Sequence, residues 1–549
     1  MLKKLLISLL VALFGISSLS TSAKIQVDLV VYNAVIYTVD SSFSNCNCFA
    51  VTNGRFVAIG NKADIMKQYI ARQVIDAKGK FIYPGFIDAH AHFYGYALGL
   101  HYVDLSTAIS EVQMLDILQQ FASQHTNPNA WIVGRGWDQN KWPGKQFPDN
   151  AKLNKMFPNT PVVLTRVDGH AVLTNLEAIK RAGIANTSDV KQGEAILKNG
   201  RFSGIFLENT ADKLRQAIPT PTGSELDKLL AQAEANCFEA GLTTVADAGL
   251  DKKIIQHFDT LQHDGKMKLR IYAMLNPSIE NLKYYLKNGP YFTDYLTVSS
   301  IKLYADGALG SRGACLLKPY TDSPTNNGMI VTSPDTLIQI CRLAYIHGFQ
   351  VNTHAIGDSA VRLMLHMYAG ILKGKNDRRW RIEHAQVVAG EDIHLFGDNS
   401  IIPSVQATHA TSDMYWAADR LGKERIKTAY AYQMLKQQNG WIPNGTDFPI
   451  EQIDPLLTFY AAVFRIDSKG YPEGGFQPEN ALSREDALRS ITIWPARAAF
   501  EENNKGSIET GKLADFILVD TDLMKAPANR ILTAKIEATY SGGSLVFTR

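Results

Sequence analysis

The chain has 549 residues, with 56 Lys and Arg against 53 Asp and Glu and a formal net charge of +3. Its 46% hydrophobic and 20% charged residues are ordinary globular usage, which excludes disorder, a collagen-like repeat and a multi-span membrane protein. The near-neutral balance leaves no electrostatic footprint for nucleic acid.

Residues 1–23 predict a secretory signal. Lys3 and Lys4 are a basic start, the stretch 5–19 is apolar and uncharged, and Thr21-Ser22-Ala23 offers small residues for cleavage. That stretch falls short of the roughly 20 residues needed to span a bilayer. The expectation is an exported chain, periplasmic or secreted, whose mature form has no stable membrane span. The five cysteines, an odd number, are Cys46, Cys48, Cys237, Cys315 and Cys341. They do not describe a disulfide scaffold.

From residue 24 to 83 the chain is β-rich, with Asn53-Gly54 as a hairpin turn. Residues 500–549 look alike. Neither end closes a core alone, so the two are expected to pair into one small β-sandwich domain. Between them, strands alternate with helices. Leu226, Leu229, Leu230, Ala233 and Cys237 follow the helical period, Thr222 and Glu225 have capping-box spacing, and Gly241 ends that helix. A second helix opens at Ser333-Pro334 and ends at Gly348.

Strands are predicted at 81–88, 242–247, 268–275, 300–305, 350–354, 380–384, 401–406 and 441–444. This alternation implies an α/β fold, a (β/α)₈ TIM-like barrel over residues 84–499. The gap after the first strand is far longer than an ordinary loop. Residues from about 100 to 225 therefore form an inserted subdomain, which carries Trp131, Trp137 and Trp142.

Four of the histidines lie at predicted strand ends. His90 and His92 close the first strand in Pro84-Gly85-Phe86-Ile87-Asp88-Ala89-His90-Ala91-His92. Residues i and i+2 of a strand share a face, so both imidazoles can reach one cation. His354 ends the fifth strand, His384 the sixth, and Asp447 follows the eighth. In a barrel these ends meet at one mouth. Each residue alone is an ordinary structural histidine or turn aspartate; the joint placement is what points to a metal site.

This set resembles the amidohydrolase superfamily of metal-dependent hydrolases, and within it the family 3 branch related to N-substituted formamide deformylases. Three further stretches carry the resemblance: residues 302–312, Asn352-Thr353-His354-Ala355-Ile356-Gly357-Asp358, and Gly511-Lys512-Leu513-Ala514-Asp515. It implies that Lys302 carries a CO₂-derived carboxylate bridging two ions, where the residues alone leave open an amine that reaches the mouth or pairs with Asp306. His90, His92 and Asp447 would hold one ion, and His354 with His384 the other. Zn²⁺ suits these donors, with Fe, Mn or Ni compatible and one or two ions expected. A metal-activated hydroxide would attack the substrate carbonyl, and Asp447 would carry its proton to the departing nitrogen.

Arg312 is a candidate clamp for a substrate carboxylate or carbonyl, or a structural partner of Asp306 or Asp322. In similar proteins the residue matching His170 faces the active site; the residues alone leave open a histidine at the surface or behind the site. Trp137 either lines an apolar pocket or packs in a core. His409, after the seventh strand, either contacts substrate or caps a turn. The expected function is hydrolysis of a non-peptide carbon–nitrogen bond in a small-molecule amide or N-acyl or N-formyl amine. A cyclic-amide hydrolase or deaminase of the same superfamily, or a non-catalytic binding relative, are the alternatives. The sequence is compatible with a homo-oligomer.

Overall fold

The computed structural model describes residues 24–124, 131–167, 171–190 and 194–549. The expected signal and His170 lie outside the described residues. No helix among the described residues is long and apolar enough to cross a membrane.

Seven parallel strands form the central sheet in chain order. They are Phe86–Ala91 (β1), Leu242–Leu250 (β2), Arg270–Leu275 (β3), Leu296–Tyr304 (β4), Gln350–Ala355 (β5), Arg381–His384 (β6) and Ile402–Ser404 (β7). Nearly every residue in them is buried, as parallel strands covered by helices require. The expected eighth strand is reduced to a single parallel bridge, Val405 to Asn444. Pro443 has no N–H to donate, so a regular ladder cannot run through it. The segment still spans the gap. Gly445 N donates to Val405 O at 2.9 Å on one side, and Asp447 N donates to His90 O at 2.8 Å on the other.

The expected first strand, 81–88, is two strands with different partners. Phe81–Pro84 pairs antiparallel with Phe516–Val519, whereas Phe86–Ala91 pairs with β2. Gly85 makes the break: a Cβ there would meet the Thr243 side chain at 2.5 Å. The Phe81–Pro84 pairing unites the two chain ends. Hydrogen bonds join all eight strands of this domain in one connected sheet. Its main apolar cluster draws Leu29, Val31, Phe49 and Phe56 from one end and Phe516, Leu518 and Tyr540 from the other. Asn53 and Gly54 both have positive φ, 52° and 73°, and form the expected tight turn between Asn45–Thr52 and Arg55–Gly60.

The insertion has its own six-stranded sheet. Alternate residues face opposite sides. Ile132, Val162, Leu164 and Leu173 join one apolar cluster, and their neighbours Val133, Val163 and Val172 join another. In the barrel, the helix Gly223–Glu239 follows the predicted period, with Thr222 as N-cap; its side chain makes no capping bond. Gly241 has φ 79° and hands the chain straight to β2. The helix Pro334–His347 starts on the Ser333 cap and ends at the left-handed Gly348, as read from the sequence.

Candidate metal centre

The C-terminal ends of β1, β4, β5 and β6 and the loop after the eighth segment open on one cavity of about 350 Å³. His92, Lys302, His354, His384, His409 and Asp447 all line it. His90 lies just beneath, fully buried.

Three of the histidines are held from behind. His90 Nδ1 is 2.7 Å from Glu383 Oε2, His92 Nδ1 is 3.1 Å from Ala248 O, and His384 Nδ1 is 2.7 Å from Gln406 Oε1. A carboxylate and a carbonyl can only accept, so Nδ1 of His90 and His92 carries the proton. In the neutral ring Nε2 then presents a lone pair. Burial, with Lys302 alongside, pushes the His90 imidazolium down to about 4, which keeps the ring neutral. Burial pushes His354 to about 3.

These lone pairs converge on Asp447. Its Oδ1 is 3.2 Å from His92 Nε2 and 3.7 Å from His90 Nε2. Burial opposes ionisation of Asp447. The neighbouring His92, His90 and His409 imidazoles outweigh it and hold the carboxyl well below the ordinary range. Among the described residues, Asp447 Oδ1 and His409 Nε2 are buried without a hydrogen-bond partner. Imidazole lone pairs and a carboxylate meeting with no proton between them repel; a cation is what such a point lacks. Two sets of donor atoms lie within 4.8 Å of one another, His90 with His92 and Asp447, and His384 with His409 and Asp447. The donors fit a divalent ion.

The backbone is arranged for this. Asp447 has φ 62° and His384 φ 73°. Such conformations cost a non-glycine residue about 1–3 kcal/mol and persist where the surroundings hold them. Asp88 does the holding on one side, accepting from His90 N at 3.0 Å, Thr446 N at 3.1 Å and Thr446 Oγ1 at 2.7 Å. Burial pushes its carboxyl up to about 7 against those bonds. Gly445 permits the approach, since a Cβ there would lie 2.5 Å from His90 N.

Lys302 is buried at 1% exposure, with Nζ 3.2 Å from His90 Nε2. Burial lowers its ammonium to about 8, while Glu383 and Asp447 pull the other way. It does not pair with Asp306, which instead accepts three backbone N–H groups, from Cys315, Ile356 and Gly357. Glu383 was not singled out in the sequence. Burial raises its carboxyl, but Arg381 and His90 bring it down to about 2. Arg381-x-Glu383, two like-facing charges on a short buried strand, was the signal available.

The structure brings together His90, His92, Lys302, His354, His384 and Asp447, and adds His409 to Asp447, with Nε2 3.6 Å from Oδ2. Two sequence candidates stand elsewhere. Trp137 is fully buried in the core of the insertion, its indole N–H donating to Leu164 O at 2.8 Å, so it lines no substrate pocket. Arg312 is paired with Asp322 through Nε at 3.1 Å and Nη2 at 2.8 Å and is not part of the cavity lining.

A parallel barrel with histidines, a lysine and an aspartate at the C-terminal mouth is the architecture of metal-dependent hydrolases. Residues 73–547 match the amidohydrolase family, and the chain belongs to it. Protein LONG AFTER FAR-RED 3 of Arabidopsis thaliana is 32% identical over 97% of this chain and 94% of its own. The N-substituted formamide deformylase of Arthrobacter pascens is 24% identical, over 95% of this chain and 98% of its own. Among solved structures, an uncharacterized metal-dependent hydrolase from Pyrococcus furiosus is 27% identical with a TM-score of 0.78, covering 90% of this chain and 100% of that one.

Proposed function

We propose that the chain hydrolyses a non-peptide carbon–nitrogen bond, in an amide or an N-acyl or N-formyl amine. The observation that carries this reading is the meeting of the His90 and His92 Nε2 lone pairs with Asp447 Oδ1 beside a buried lysine. Similarity to a formamide deformylase along 95% of the chain supports the bond type. His90, His92 and Asp447 would hold one divalent ion, His354 and His384 a second, and Lys302, as a carbamate, would bridge them. Zn²⁺ suits the nitrogen and oxygen donors, and Fe, Mn or Ni are compatible. A bound ion supplies Lewis acidity, polarising a carbonyl and acidifying water.

The protein's own part is positional. Glu383, Ala248 O and Gln406 fix the imidazole rings. Asp447, ionised and with Oδ1 free of donors, accepts the proton of the attacking water and returns it to the departing nitrogen. We also read residues 1–23 as an export signal, which N-terminal sequencing of the mature protein tests.

Elemental analysis of protein from metal-supplemented cells should find about one to two divalent ions per chain. A chelator should abolish hydrolysis of a panel of N-formyl and N-acyl amines, and added Zn²⁺ should restore it. Metal-loaded protein inert toward the whole panel overturns the reading.

A further inference from the structure

The cavity above the metal centre has a sign. Beyond the residues that face the metal position, its wall is Tyr304, Leu309, Ile356 and Ile450 together with two carboxylates, Asp413 and Glu451. Among the described residues no arginine lines it, and its one lysine is Lys302, at the floor against His90. Arg420 reaches the wall from behind, donating to Gly310 O at 3.3 Å, and both Arg420 and Arg312 are engaged by Asp322. Both guanidiniums near the mouth are thus turned toward Asp322, and neither lines the cavity.

The two carboxylates are each anchored through one oxygen. Asp413 Oδ2 accepts from Gln386 Nε2 at 3.0 Å and from Tyr430 OH at 2.8 Å. Glu451 Oε1 accepts from Ser412 Oγ at 2.6 Å. Among the described residues, nothing donates to Asp413 Oδ1 or Glu451 Oε2. The floor of the same cavity holds the partnerless Asp447 Oδ1, nine-tenths buried, which marks where the reacting group sits.

We propose that Asp413 and Glu451 form a cation-binding subsite, so that the substrate is an amide whose ammonium group is separated from the scissile carbonyl by a methylene spacer. The proposal rests on the carbon–nitrogen hydrolase reading for its chemistry, not for the subsite itself. An ammonium placed between the uncommitted oxygens gains charge-assisted hydrogen bonds. An amide ending in a carboxylate meets like charge there and is rejected. Leu309, Ile356 and Ile450 accept the methylene spacer between the two ends.

The test compares three formamides of matched length on the zinc-loaded protein. They are N-formyl-1,5-diaminopentane, N-formylhexylamine and N-formyl-6-aminohexanoate, ending in an ammonium, a methyl and a carboxylate. The ammonium compound should exceed the carboxylate compound by at least about tenfold in kcat/KM, with the alkyl compound between, and the ratio should shrink with added salt. Glu451→Gln should cut that ratio at least about fivefold, and Asp413→Asn should do likewise if it folds. Glu424→Gln, an exposed carboxylate outside the cavity, should leave the ratio as it is. Equal or better turnover of the carboxylate compound overturns the subsite while the hydrolase reading stands. If none of the three is hydrolysed, the hydrolase reading is decided by the wider panel of N-acyl amines, and calorimetric titration decides the subsite alone. 1,5-Diaminopentane should bind the wild type and lose affinity in Glu451→Gln, whereas 6-aminohexanoate should bind weakly to both; no difference between the two ligands ends the proposal.

Discussion

Two buried ion pairs whose arginines stand on barrel strands serve different ends. Arg270 at the start of β3 and Asp515 are 3% and 4% exposed, and Arg381 at the start of β6 and Glu383 are 1% and 0% exposed. The first pair is closed. Arg270 reaches Asp515 through Nε at 3.0 Å and Nη2 at 3.2 Å, its Nη1 donates to Asp294 O, and Gly542 N completes Asp515 Oδ1 at 2.6 Å. The second is open. Arg381 Nε lies 3.0 Å from Glu383 Oε1 but directs its N–H to Asn352, and the chain of contacts runs on through His90 to Lys302 and Asp447, where it ends in a partnerless oxygen. A closed set of buried polar groups fastens one domain to another. An open set is held ready for something the protein does not itself contain.

Four variants separate these roles, on a scale where each tenfold is about 1.4 kcal/mol. Replacing His90 and His92 together by Ala removes two donors, and should cost at least about a thousandfold in kcat, beyond the 10–100-fold typical of groups outside the ligand set. Elemental analysis should show the loss of at least one ion. Arg270→Ala strands the Asp515 charge and should lower stability by about 3–5 kcal/mol in a denaturant titration. The turnover of the fraction that folds should match the wild type; a catalytic defect there would erase the distinction between the pairs. Asp447→Asn keeps the size and a weak oxygen ligand but carries no proton. It should stay folded and metal-loaded while kcat falls by about a hundredfold or more. If metal is lost instead, its chief role is as a ligand. Glu383→Gln leaves His90 a neutral acceptor and should weaken metal retention or kcat/KM by about tenfold, the lower end of the outer-group range. A chelator-competition titration checks it, and wild-type affinity would show that Arg381–Glu383 is merely structural.

Much of the site was legible because a parallel barrel gathers strand ends and period-two spacing says which neighbours share a face. His90, His92, His354 and His384 needed no more than that. What was not legible depends on partners remote in sequence. Residues 81–88 read as one strand; Pro84-Gly85 is a breaking dipeptide, but nothing local says that the neighbour changes there from Phe516–Val519 to β2. Residues 441–444 read as a strand because their pattern is apolar, but Pro443 limits it to a bridge. Trp137 read equally as a pocket wall or a core side chain, and only the packing of the insertion shows it as core. Arg312 had two acidic suitors in sequence, and the fold chose Asp322. His409 sits on the short helix Ala407–Asp413, whose orientation toward Asp447 is set by β7 and the eighth segment rather than by its own residues.

The union of the chain's two ends also sets a clock. Tyr83 accepts a hydrogen bond from Leu523 N across 440 positions of sequence. At about 5–20 residues per second, a ribosome needs roughly 20–90 s to supply the second partner after the first has emerged. Throughout that interval Phe81–Pro84 has one flank without a neighbour, and an unpaired strand edge is a template for the wrong partner. The terminal domain is therefore finished last although it is begun first. The yield of correctly assembled chains should depend on how that edge is kept occupied while the barrel is being made.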